Sequence, residues 1–247
     1  MRTLKLVVAY DGTDFHGWQV QPAQRTVQGV LEEALTRVLG EPVRVHGAGR
    51  TDAGCHARGQ VASFATAAAL PARALAPALN RALPDDVRVR SGEEVAEGFD
   101  ARRSATARRY AYRLLDHPDL LLERIAWHPR RRLDAAALAR ATAPLEGAHD
   151  FESFRAAGGA DAHPVCRVSR TTWRRWEGGW QLDVIADHFL YHMVRNLVGT
   201  ALRAMEDRDP AASMRRVLAA RRRAAAGPTA PPQGLTLEQV FYGGGTA

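Results

Sequence analysis

The stretch GRTDAGCHARGQ, from Gly49 to Gln60, sets one carboxylate, Asp52, between Arg50 and Arg58 among glycine and alanine. Three chemistries fit such a loop. Aspartate commonly closes an Asx-turn by bonding its own backbone. Gly49 and Gly54 would permit the close backbone approach of a phosphate cradle, although a negative charge at its centre opposes an anion. A carboxylate can also attack an electrophilic carbon and form a covalent intermediate. That use needs an ionised group, which a neighbouring arginine favours, and small neighbours that leave room for a substrate. The loop alone leaves the turn and the nucleophile both open.

Other reactive side chains have two readings each. Arg195 lies beside a helical stripe of Val194, Leu197, Val198, Ala201 and Leu202, where an arginine is either solvated or turned to a site. Tyr110 sits in an alternating apolar strand and is either core or an aromatic surface for a ligand. His16 and Trp18 fit an RNA surface or a turn with a packing aromatic. The run Arg221 to Arg223 fits a solvated helix face or a phosphate-contacting one. Cys55 and Cys166 are far apart, and His56 beside Cys55 does not make a tetrahedral site, so no structural zinc is expected. No GxGxxG precedes a helix and no P-loop occurs, so no cofactor fingerprint is present.

The totals narrow the partner. Of 34 basic residues only Lys5 is a lysine, and the net charge is +7. Arginine forks onto phosphate and stacks on bases, which favours a nucleic-acid partner over a merely solvated basic surface. With 46% apolar residues in 247, the chain can bury one large core or two small ones. No apolar run approaches the ~18 residues of a membrane span, and no signal-peptide pattern opens the chain, so a soluble, cytoplasmic, reduced protein is expected.

The elements that must position these residues follow from periodicity. TLKLVVAYDG reads as a strand, and TVQGVLEEALTRVLG as a helix with Thr26 at its N-cap and Gly40 just past its end. VRVHG and QVASFAT read as strands, PARALAPALNRAL as a helix and VRVRSGEEV as a strand. The second half repeats the order: a strand at ARRYAYRLL, a helix at LDAAALARATAPL, and two strands joined at Glu177-Gly178-Gly179. Helices at HMVRNLVGTALRAM and DPAASMRRVLAARRRAAA follow, with LTLEQVFY as a closing strand. RAAAGPTAPPQG reads as an exposed loop. Each half is thus β-α-β-β-α-β. The expected fold is α+β, with two such halves, mostly antiparallel sheets and helices on one face. The halves are expected at residues 1–105 and 106–247.

Four segments together resemble one family. GAGRTDAGCHARGQVASF is similar to the signature of the tRNA pseudouridine synthase A family. YDGTDFHGWQVQP, FDARRSATARRYAYRL and FLYHMVRNLVGT resemble its opening, central and late segments, in the family's order. The resemblance implies isomerisation of uridine to pseudouridine at positions 38, 39 and 40 of tRNA, in the anticodon stem-loop. It implies no cofactor and no metal, and a homodimer in which one tRNA contacts both subunits. By motif match Asp52 is the catalytic aspartate and Arg195 the arginine that pairs with it. Tyr110 matches the active-site tyrosine that stacks on the base and is a candidate for proton transfer. Arg50 matches the arginine that assists base flipping, and Arg58 and His56 are expected to bind substrate. Because Asp52 and Arg195 fall in different halves, the site is expected in a cleft between them. Cys55 stands where the family usually has valine and is read as packing. Leu235 or Leu237 is expected to pack near the site.

Three rivals remain at this stage, one of them a pseudouridine synthase acting on ribosomal RNA or another tRNA site, which shares the chemistry but which the YDGTDFHGWQ and ARRYAY segments argue against. A non-catalytic RNA-binding protein explains the charge but not the acid, because a carboxylate in a basic cleft weakens RNA binding. A small-molecule enzyme explains the acid but lacks a cofactor motif.

Overall fold

The computed structural model describes residues 1–158 and 163–243. Within them the chain is mixed α and β, mostly antiparallel, with five α-helices. It divides into two compact units: Met1–Thr106 joined by the segment from Thr236, and Ala107–Leu235.

In the first unit β1 (Arg2–Tyr10) lies between β3 (His56–Thr66) and β4 (Val87–Val95), antiparallel to both. Its alternation sends Leu4, Leu6, Val8 and Tyr10 to a buried face, as a period of two requires. The short β2 (His46–Gly47) pairs with β3. Helix α1 (Val27–Leu39) starts and stops where its local chemistry says. The Thr26 side chain accepts from the Gly29 N–H at 3.3 Å, and Gly40 ends the helix at φ 74°. Helix α2 (Ala72–Ala82) buries Leu75 and Leu79.

One strand boundary moves here, and one strand pairing is added. The strand expected from Gln60 begins at His56, so His56 and Arg58 belong to β3 and not to the loop. The segment expected to close the second half, β9 (Leu235–Tyr242), pairs in parallel with β3 through His56↔Thr236 and Ala57↔Leu237. A closing strand carries no local mark of its partner, so only the tertiary fold sets this pairing.

In the second unit β5 (Ala105–Leu115), β8 (Gly179–Ala186), β7 (Val165–Trp176) and β6 (Gly147–Asp150) pair in that order, all antiparallel. β6 has only four residues and no sequence signal foretold it. The β7–β8 turn falls at Glu177 and Gly178 as expected, with Gly178 at φ 74°. Helices α3 (Ala135–Thr142), α4 (Met193–Ala204) and α5 (Pro210–Ala220) complete the unit.

Helix α5 is shorter than its periodicity suggests. Arg221 turns left-handed at φ 47° and ends it, so the Arg221–Arg223 run is not a helix face. Nor is the following segment an exposed loop. Ala226 and Ala230 are buried, and it packs along α4. Gly199 allows this: a Cβ there would collide with the Pro228 carbonyl. Buried Asn196 donates to Phe154 O at 2.7 Å and accepts from Thr229 Oγ1 at 2.7 Å and from Arg223 at 3.1 Å. Arg223 is therefore committed inside the unit.

Candidate active site

The Asp52 loop is built by three elements of the first unit. Trp18 N–H donates to Thr51 O at 3.0 Å, and Tyr10 Oη and Thr51 Oγ1 share a hydrogen bond of 2.8 Å. Gln60, fully buried on β3, donates through Nε2 to Gly49 O at 2.8 Å. On the far side Cys55 N–H donates to Asp52 O at 3.1 Å and closes a turn through Gly54, which sits at φ 76°. Backbone on both sides of Asp52 is thus held, with Thr51 and Cys55 buried, while Asp52 itself is only half-buried. Arg50 and Arg58 are exposed, and the Arg58 carbonyl accepts from Arg90 at 3.0 Å.

Two glycines explain why YDGTDFHGWQ and GRTDAGC occur together. A Cβ at Gly12 would collide with the Cys55 carbonyl. One at Gly17, already at φ 86°, would lie 2.7 Å from Thr51 O. The opening segment is a cradle for the loop, and only glycine fits where the two backbones meet.

His56, expected to bind substrate, lies at the start of β3. It is 4% exposed, and its Nδ1 accepts from the Gly12 N–H at 3.1 Å. Asp11 Oδ1 lies 3.2 Å from the same nitrogen, a contact that becomes an ion pair only when the imidazole is protonated. Its visible work is to pin the cradle. Burial pushes the Tyr10 phenol well above its ordinary range, so it remains a neutral hydrogen-bonding group. Leu237, opposite Ala57 in the β3–β9 ladder, is fully buried, and Gly59 lets the Glu238 backbone approach β3 closely.

In the second unit Tyr110 lies on β5 opposite Val184, 8% exposed. The Phe189 ring meets it edge-on at 4.9 Å. Arg195, half-buried on α4, donates from Nε to Ala230 O at 2.8 Å, and Ala230 N–H returns a bond of 3.1 Å to Arg195 O. The segment after α5 therefore fixes this arginine in place. Asp52, Arg50, His56 and Arg58 share the first unit; Tyr110 and Arg195 share the second.

Sequence reasoning missed Tyr10, Thr51, Gln60 and Asn196 as positioning residues. A polar side chain at a strand or helix position facing the core was the available signal for Gln60 and Asn196. Cys166 is also buried, 3.3 Å from His188 Nε2, with Asp187 Oδ1 2.9 Å from the other ring nitrogen. Burial first, then the charges of Asp187 and Asp150, push this thiol up to about 12, which removes it as a nucleophile at neutral pH. Among the described residues no group of three metal-ligating side chains gathers. No helix among them is long and apolar enough to cross a membrane.

The first unit thus presents a held, half-buried carboxylate flanked by two exposed arginines. A family model described as tRNA pseudouridine synthase matches residues 6–102 and 141–243. The chain is 46% identical over 246 residues to tRNA pseudouridine synthase A of Moorella thermoacetica, covering 98% of this chain and 100% of that one. It is 45% identical over 245 residues to the Myxococcus xanthus protein of the same name (98% and 92% covered) and 41% over 244 to the Geobacter sulfurreducens one (98% and 100%). The chain belongs to the tRNA pseudouridine synthase family. It is an isomerase that acts on uridine in tRNA.

Proposed function

We propose that the chain isomerises uridine to pseudouridine at positions 38, 39 and 40 of the tRNA anticodon stem-loop, with Asp52 as the attacking carboxylate. The observation that carries this reading is the Asp52 loop, whose backbone is held by Trp18 and Gln60 before Asp52 and by the Cys55 N–H after it, while the carboxylate stays half exposed. A turn aspartate needs no such scaffold, and an RNA-binding surface has no use for the charge.

In the reaction the N1–C1′ bond breaks, uracil turns, and a C5–C1′ bond forms; the C5 proton leaves and N1 gains one. The sequence is redox-neutral. The target base must first leave its stack, at a cost of a few kcal/mol. Exposed Arg50 and Arg58 are suited to hold the displaced backbone and the flipped position. Asp52 then acts on the ribose or on the uracil ring. The family resemblance supports Arg195 as the partner of that carboxylate. Tyr110 stacks on the base. As a proton acceptor it would be weak at a phenol pKa of about 10, so stacking is its primary role. His56 contributes by holding Gly12 and, through it, the loop. We place the enzyme in the cytoplasm as a homodimer whose single bound tRNA touches both subunits. The family resemblance supports the dimer, and two buried cysteines that form no disulfide agree with a reducing compartment.

The test is tritium release from tRNA labelled at uracil C5, with wild type and Asp52→Ala compared. Release by the wild type and none by the variant, with tRNA binding retained, is the expected result. Tight binding with no release by either protein would return the chain to the RNA-binding reading. Release only from positions outside 38–40 would move the site.

A further inference from the structure

The segment between β8 and α4 presents one feature that the reaction above does not use. From Phe189 to Met193, Leu190 and Met193 are buried, Phe189 meets Tyr110, and His192 is half-buried. Tyr191 alone points outward, 41% exposed. It is not a stray surface ring. Its centroid lies 3.9 Å from that of His192, with the planes 32° apart, so one face is already stacked. His192 takes a left-handed conformation (φ 58°, ψ 8°), which a side chain other than glycine adopts only against its intrinsic preference. The main chain here is hydrogen-bonded: Ala156 N–H donates to Tyr191 O at 3.1 Å, and His192 O receives the Asn196 N–H at 2.9 Å. Arg195 follows four residues later on the helix that this segment opens.

An exposed aromatic ring with a second ring against it can serve as a stacking platform. The ligand class it fits is a planar, unpaired nucleobase, and the chain's charge of +7 favours a polyanion that carries one. We propose that Tyr191, backed by His192, binds an unpaired nucleobase of the substrate RNA next to the target uridine, a subsite separate from the pocket that takes the flipped base. This inference rests on the reading that the chain acts on tRNA uridine. Stacking by Tyr191 fixes the neighbouring nucleotide and so offsets part of the cost of extruding the target.

The experiment places 2-aminopurine, in turn, at each unpaired position of a stem-loop RNA and measures its fluorescence on binding wild type, Tyr191→Phe and Tyr191→Ala. The expected result is quenching at one position by wild type and Tyr191→Phe, lost with Tyr191→Ala. The Ala variant should also bind the RNA more weakly by roughly 5- to 150-fold. Its affinity should keep the same dependence on salt, because no phosphate contact is removed. Equal quenching and affinity for Tyr191→Ala would overturn the proposal. So would loss of both with Tyr191→Phe, which would assign the effect to the hydroxyl. Tritium release by the wild type in the same samples reports separately on the isomerase reading, so the two can fail independently.

Discussion

At the scale of single residues, burial decides which reactive groups stay available. Asp52 remains half-exposed while Tyr10 and Cys166 are enclosed and kept neutral. For these two groups the folded-state pKa is raised, so the unfolded chain ionises first. Their contribution to stability is complete below the ordinary pKa and is lost as pH rises. For Cys166 the window runs from its ordinary 9.0 to about 12; for Tyr10 it opens at 10.0. The melting temperature is therefore expected to fall progressively above pH 9. Cys166→Ala should flatten the early part of that fall, as a thermal melt series from pH 7 to 11 would reveal. A slope unchanged by the substitution would contradict this assignment.

At the scale of elements, the site depends on backbones that touch. Gly12 and Gly17 let the segment after β1 lie against the Asp52 loop, and Gly199 lets the segment after α5 lie on α4 beside Arg195. A methyl group at Gly12 meets a backbone carbonyl, which cannot rotate away. Gly12→Ala should thus move the Asp52 loop and abolish most activity. Gly199→Ala should act through overpacking, at about 1–3 kcal/mol of stability. Denaturant midpoints and initial rates measured on both variants would separate the two effects. The prediction fails if Gly12→Ala keeps wild-type turnover. Much at this scale was legible. Thr26 and Gly40 bounded α1 because caps are local chemistry, and the alternation of β1 named its buried face. The end of α5 at Arg221 was not legible, since arginine is a good helix former and nothing local marks a left-handed turn there.

At the scale of the whole molecule, arginine charge is the dominant feature, but not every arginine is available to RNA. Arg223 donates to Gly227 O, Asn196 Oδ1 and Thr229 Oγ1, whereas Arg50 and Arg58 are exposed. Each phosphate contact adds roughly 0.9 to the salt slope of duplex binding and about 0.7 for a single strand. Arg50→Ala and Arg58→Ala should each reduce the slope of log affinity against log salt by somewhat less than one. Arg223→Ala should leave the slope unchanged and lower stability. Filter-binding titrations across salt concentrations check this, and an Arg223 variant with a reduced slope would sink the distinction.

The sequence by itself determined most of the longer elements, the Asp52 motif and the family, because caps, periodicity and four ordered motifs are all written in contiguous residues. The tertiary structure alone decided that β9 joins β3, that Gly12 and Gly17 cradle the loop, that His56 is buried, and that Arg223 is hydrogen-bonded to Asn196, Gly227 and Thr229. Each of these depends on residues distant in the chain, and neither residue type nor spacing encodes the partner. Strand pairing and close backbone approach become fixed only when the core is packed around them.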